Sequence, residues 1–264
     1  METLESYLED RLAQGRAYFV REEAQARLGL SSSAWDTALA RQVRKARAVS
    51  LKHGFYLILR PEDRSLGAPD PVRWIDPLMQ HLQLDYRVSL LRAAAFHGSS
   101  HQAAMVFQVI VPRQIRGLEV GRQRLEFVYQ NPETFDGVNR PDWLDSIKSD
   151  AGFAKAAGIE LTLLDCARYF HKAAGINGLA QIVKDLGGKA SPRKLAEIAA
   201  QYENSSVRRL GYLLERMRHM QQAEKLRPFQ ASQNGRPARS LGEAAGGRMV
   251  RCIRAGTAMA AHPQ

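Results

Sequence analysis

The sequence predicts an α+β protein: a winged helix-turn-helix at the N-terminus followed by a mixed α/β domain. Three observations carry this. Short amphipathic helices with a Gly-containing turn fill residues 1–47, and two β runs flank a second Gly turn at 49–59. From residue 73 to 226, helical and strand-like runs are mixed. The chain has 264 residues, 45% hydrophobic and 25% charged, enough for one large or two modest domains and too apolar for wholesale disorder.

Leu4, Leu8 and Leu12, with Tyr7 beside them, make one apolar stripe on a first helix that stops near Gly15. The short run Tyr18-Phe19-Val20 precedes a second helix, Arg21–Leu28, and Gly29 stands where a C-cap needs positive φ. Ser31, Ser32 and Ser33 offer N-cap oxygens to a third helix running to about Arg47. Two short helices joined by such a turn form a helix-turn-helix. On a helical projection, Trp35, Leu39, Val43 and Ala46 gather on one expected buried face. Ser33, Thr37, Arg41, Arg44 and Lys45 fall opposite, between about 120° and 240° from Leu39. Hydroxyls near the helix start and cations further along suit entry into a major groove, where an arginine reads guanine edges bidentately. A solvated basic face gives the same pattern. The next element favours DNA: Val49–Leu51, the turn Lys52-His53-Gly54 and Phe55–Leu59 read as a hairpin with a basic tip, the wing.

Charge supports this division. The formal net charge is +11, from 38 Lys/Arg against 27 Asp/Glu. Residues 1–36 hold four basic and seven acidic residues, 37–60 six basic and none acidic, 61–203 seventeen of each, and 204–264 eleven against three. A neutral middle between basic regions points to an anionic partner at particular places, nucleic acid ahead of membrane. No apolar stretch approaches a membrane span of about 18–20 residues; the longest candidate, Ala103–Val111, is interrupted by Gln108. The acidic N-terminus has the wrong sign for a leader, and two cysteines, Cys166 and Cys252, provide no disulfide framework, so a cytoplasmic location is expected. The boundaries read as 1–62 for the winged helix, 63–72 for a Pro/Gly linker, 73–226 for the mixed domain and 227–264 for a flexible basic tail.

In the mixed domain, Trp74–Leu82 and Val88–His97 are expected as helices, and Met105–Val111 and Gln123–Tyr129 as strands around a turn-rich Pro112–Gly121. Leu161–Ala173, Gly178–Leu186, Pro192–Tyr202 and Val207–Met220 then read as helices. The run Val88–Gln102, with His97-Gly98 and His101-Gln102, resembles the helix and HG..HQ signature of AbiEi-type antitoxins. Gly158–Asp165, with Glu160, Thr162 and Asp165, resembles that family's E.T..D segment, and Gly175–Leu186 its Gly-rich helix entry. Arg208–Glu215, with Arg209 and Gly211, resembles its RRLGYLLE helix. The resemblance spans about residues 2–226.

It implies the antitoxin half of a bacterial type IV toxin–antitoxin, or abortive-infection, system. The winged helix would repress the operon by binding double-stranded operator DNA, as a dimer or as cooperative monomers on tandem half-sites. The second domain would counteract a nucleotidyltransferase-like toxin; such antitoxins oppose their toxin without a stable complex, so direct contact stays open. No cofactor or metal and no enzymatic activity is implied.

The enzymatic alternative is a metal-dependent nuclease or transferase using His97, His101, Glu160 or Asp165. His97 and His101 are spaced i, i+4, but Gly98-Ser99-Ser100 between them reads as a helix end and no Glu follows His97. Thr162 with Asp165 reads as capping at a helix start. The expected DNA contacts are Ser31, Ser32, Ser33, Thr37, Arg41, Arg44, Lys45, Lys52 and His53.

Overall fold

The computed structural model describes residues 2–52, 54–99, 106–150 and 152–231. His53, His101 and Gln102 lie outside them, as does the basic tail from residue 232 onward.

The N-terminal unit runs α1 (Leu4–Ala13), β1 (Tyr18–Val20), α2 (Arg21–Leu28), α3 (Ser32–Arg44), β2 (Ala48–Lys52) and β3 (Phe55–Ile58). Its strands form an antiparallel sheet in the order β1-β3-β2, an arrangement consistent with the expected winged helix-turn-helix. The turn between α2 and α3 is built from two caps. Gly29 adopts φ 62° and returns its N–H to the Gln25 carbonyl, a conformation only glycine takes without strain. Ser31 then accepts the Ala34 N–H at 3.3 Å, satisfying an otherwise orphaned donor.

Helix α3 is rotated from its expected setting. Trp35 is fully buried between Phe19 and Tyr56, with ring centroids 6.2 and 6.0 Å away. That indole sets the centre of the buried face, so Gln42 faces inward while Val43 is 46% exposed. The helix also ends at Arg44, and Ala46 turns the chain with φ 50°, so it lies outside the helix and is exposed.

Strand alternation gives the small sheet two apolar faces. Phe19, Tyr56 and Ile58 join the core of α1–α3, whereas Tyr18, Val20, Val49, Phe55 and Leu57 face the second domain. The segment 63–72, expected to link the domains, contributes to that contact: Ala68 and Val72 are buried in the shared cluster. At its start the short 3-10 turn Pro61–Asp63 leads to a close backbone approach of Gly67 to Gly121.

The second domain comprises α4 (Ile75–His81), β4 (Arg87–Val88), α5 (Leu90–Phe96), β5 (Val106–Val111), β6 (Leu118–Val120), β7 (Gln123–Tyr129) and α6 (Pro132–Val138). Then follow β8 (Leu144–Ser149), β9 (Gly152–Ala157), α7 (Ile159–Arg168), α8 (Gly175–Leu186), α9 (Pro192–Ala199), α10 (Asn204–Arg216) and α11 (Met220–Ala231). Its strands make one mixed sheet, β6-β7-β5-β4-β9-β8, in which β5 runs parallel to β7 and β4 parallel to β9. Helices α5 and α7–α11 supply the core on one face; α4 and the small sheet cover the other. The expected helix Val207–Met220 is two helices: Arg218 adopts φ 64°, and His219 packs against Gly187 and Gly188. Arg227, where the tail was expected to begin, lies within α11, whose Phe229 packs on the core.

Candidate nucleic-acid interface

Most acids of residues 1–36 are spent inside the N-terminal unit. Glu23 takes Arg11 at 2.8 Å, Glu2 and Asp10 take Arg27, and Asp36 lies 3.5 Å from Arg21. Glu5 and Glu9 on α1 both hold Arg47. Lys45 reaches back to Glu5 at 2.8 Å; that hydrogen bond, more than any other contact, holds the Glu5 carboxyl below its ordinary range. Lys45 therefore sits on the flank of the unit with its charge engaged.

Arg41 and Arg44 remain, with Arg16 before β1 and Lys52 at the end of β2. Arg41 and Arg44 are both exposed on α3, and no ion pair or side-chain hydrogen bond engages either one among the described residues. Ser32, Ser33 and Thr37 are exposed on the same helix. Thr37 Oγ1 donates to the Ser33 carbonyl at 3.0 Å, and the Ser33 and Ser31 hydroxyls are 3.3 Å apart, so Ser31 is a cap first. Lys52 is half-buried at the end of β2, and the wing turn is tied to the start of α2 by the Arg21 N–H donating to the Gly54 carbonyl at 2.8 Å. On this surface the free Arg41 and Arg44 guanidiniums stand beside small hydroxyls, a set suited to a polyanion.

The second-domain residues singled out in the sequence are woven into its core. Helix α5 ends as a Schellman motif: Ser99 N–H donates to the Ala94 carbonyl at 2.9 Å, Gly98 N–H to Ala95 at 3.0 Å, and Gly98 takes φ 86°. The His97 ring nitrogen Nε2 lies 2.7 Å from the Ala157 carbonyl oxygen. A carbonyl only accepts, so Nε2 carries the proton. Thr162 Oγ1 donates to the same carbonyl at 3.1 Å, locking the junction of β9 and α7. Glu160 accepts the Ser191 N–H at 2.6 Å, at the start of α9. Arg209 donates to the Ala167 carbonyl in the last turn of α7 and covers the Phe170 ring at 4.4 Å, where helix polarity favours a cation. Gly211 is buried within α10.

Asp165 corrects the expectation of a capping pair. Helix α7 starts at Ile159 with Gly158 as its cap, so Thr162 and Asp165 lie inside it. The carboxylate is fully buried and takes Arg87 in a bidentate pair, Nε to Oδ2 at 2.9 Å and Nη2 to Oδ1 at 2.8 Å. Ser89 and Tyr202 hydroxyls also donate to it, and Gln130 accepts from Arg87 at 2.6 Å. Sequence reasoning missed Arg87. The available signal was Asp165 itself, an acid within the apolar run of α7 that a cation must match if buried. Gln108, which interrupts the apolar β5, has a similar explanation: its oxygen accepts the Leu91 N–H, and its amide donates to Glu126 and the Lys172 carbonyl.

The four groups of the enzymatic alternative are not assembled into one cleft where they are described. His97 is bound to Ala157, Glu160 to Ser191, and Asp165 is sealed with Arg87. Among the described residues no three His, Cys, Asp or Glu side chains are grouped to hold a metal ion. Burial, reinforced by the Asp165 charge, pushes the Cys166 thiol well above its usual value, the reverse of an activated nucleophile. Among the described residues no helix is long and apolar enough to cross a membrane.

Comparison with known proteins adds a family and a fold. No curated protein matches the chain. Among solved structures, the crystal structure of the RV2827C protein from Mycobacterium tuberculosis is similar over 85% of this chain and 79% of that one, with a TM-score of 0.59 and 16% identity. At that identity the likeness is one of fold. Residues 87–216 match the family model of the AbiEi antitoxin C-terminal domain, a range running from Arg87 to the end of α10. The domain from Arg87 to the end of α10 thus belongs to the AbiEi antitoxin family, the antitoxin side of a toxin–antitoxin system.

Proposed function

We propose that the chain is a cytoplasmic DNA-binding repressor as well as an antitoxin, with the two activities divided between its domains. The N-terminal unit, residues 1–62, binds operator DNA and silences the operon of antitoxin and toxin. The domain at 73–226, joined through 63–72, counteracts a nucleotidyltransferase-like toxin in the type IV manner, without enzymatic turnover and without a metal or cofactor.

The observation that carries this reading is the free pair Arg41 and Arg44 on exposed α3, in a unit whose other cations are largely neutralised by its own acids. Exposed arginines with no folding partner contribute little to stability and are available to phosphates and guanine edges. Arg41 and Arg44 read bases, Ser32, Ser33 and Thr37 hold phosphates, and Lys52 with His53 touches the backbone from the wing. A mobility shift with the DNA upstream of the coding sequence tests this. Intact protein should bind, and Arg41→Ala with Arg44→Ala should abolish binding without lowering the melting temperature. Unchanged binding by the double variant refutes the assignment of α3.

A further inference from the structure

The chain joining β5 to β7 carries Arg113, Arg116 and Arg122 against a single acid, Glu119, and β7 adds Arg124 as its second residue. All four arginines are exposed. Arg124 lies 3.5 Å from Glu119, whereas Arg113, Arg116 and Arg122 have no side-chain partner among the described residues. Among the described residues no fold contact engages the side chains of these three, and their segment is anchored by apolar neighbours. Ile115 and Leu118 pack on the same cluster as Val49 and Leu51 of β2, and β6 lies against β2.

The direction of β6 follows from its two ends. Its turn into β7 abuts the linker: Gly121 meets Gly67, and the Arg122 N–H donates to the Leu66 carbonyl at 2.7 Å. Gly67 is in turn bonded to Asp63, in the 3-10 turn that follows the end of β3. That is the end of the small sheet away from the wing, because β2 runs antiparallel to β3 and finishes at Lys52. The other end of β6, with Arg113 and Arg116 just before it, is the end away from that linker, and its Leu118 joins the apolar cluster that Val49 and Leu51 also join.

We infer that Arg113 and Arg116 extend the DNA-binding surface from the wing onto the antitoxin domain, each taking a backbone phosphate of the duplex bound by α3. This rests on the DNA-binding reading of α3. Guanidiniums suit phosphate oxygens, and contacts of this kind add affinity without sequence choice. Because the sheet between them is buried on both faces, the two sets of cations keep a fixed spacing, so the antitoxin domain sets the register of the repressor on DNA.

The test is the salt dependence of binding by the full chain, read by fluorescence anisotropy on its own upstream duplex and on an unrelated duplex of equal length. Arg113→Gln with Arg116→Gln should flatten the slope of log K against log salt by about 2, at roughly 0.9 per phosphate. Affinity should fall by the same factor on both duplexes. Arg122→Gln, at the far turn, should leave the slope unchanged. An unchanged slope for the folded double variant, or an equal effect of Arg122→Gln alone, overturns the inference while leaving α3 in place. If unaltered protein binds neither duplex, the α3 reading itself has failed, and this inference with it.

Discussion

Arg87 and Asp165 stand 78 residues apart in sequence and meet in a bidentate pair with neither side chain exposed. The pair joins β4, the two-residue strand at the centre of the large sheet, to α7, the helix covering it. Burying two charges costs several kcal/mol per ion, and the geometry and the Ser89, Tyr202 and Gln130 hydrogen bonds offset it. Removing one partner strands the other. Asp165→Asn should therefore lose about 3–5 kcal/mol in urea unfolding. Arg87→Met combined with Asp165→Leu should recover only part of that: no charge is left unmatched, but the Ser89, Tyr202 and Gln130 groups lose their partners. A loss below about 1 kcal/mol for the single variant would show that the pair does not hold the sheet to the helix.

His97 acts through the Ala157 carbonyl, which Thr162 also reaches. His97→Ala should cost about 1 kcal/mol, the net worth of one hydrogen bond, since Thr162 still satisfies the carbonyl. Thr162→Val together with His97→Ala should cost more than the sum of the single changes, as the buried carbonyl is then left unpaired. Additive losses in a thermal double-mutant cycle would contradict this shared role.

At Gly121 the chain needs both a left-handed conformation, φ 56°, and room, since a Cβ there would lie 2.2 Å from the Leu66 carbonyl oxygen. Gly121→Ala should destabilise by more than the roughly 1–2 kcal/mol of left-handed strain alone. It should also expose the linker to limited proteolysis ahead of global unfolding, which mass mapping of the first cuts will show.

Asp150, in the turn between β8 and β9, clasps Arg60 at 2.8 Å and Arg73 at 3.1 Å. The Arg60 hydrogen bond is the largest influence lowering its carboxyl below 3.8. For a depressed carboxylate, the stabilisation is complete above its unfolded value and is lost as pH falls through the lower folded value. The side chain is largely exposed, so the contribution at neutral pH is about 0.2–1 kcal/mol. Asp150→Asn should remove it at pH 7 and change little once the pH has fallen below the lowered folded value and both states are protonated. A constant difference across that window would rule out the ion pair as its source.

Local signals made the N-terminal unit legible. Gly29, the serine caps and the Gly54 turn each specify backbone geometry within a few residues, and the fold uses all three. The rotation of α3 was not legible, because apolar periodicity cannot weigh one indole against several aliphatic side chains. The continuous run Phe55–Leu59 did hold a hint that the hairpin is buried on both faces, a pattern usual for strands covered twice. The hairpin of β8 and β9 escaped notice because Leu144–Ser149 is polar on its open side and Gly152–Ala157 is rich in alanine, which favours helix. Arg87 was hidden for a different reason: its partner is distant in the chain, and only the fold brings a lone cation and a lone acid together.

On the proposed reading, one chain carries two separable activities. The most direct measurement expresses the chain and its cognate toxin together, with a reporter driven by the chain's own upstream DNA. For Arg41→Ala with Arg44→Ala, repression should disappear while rescue from the toxin persists at the unaltered level. Retained repression, or loss of both activities by a stably folded variant, would contradict the account.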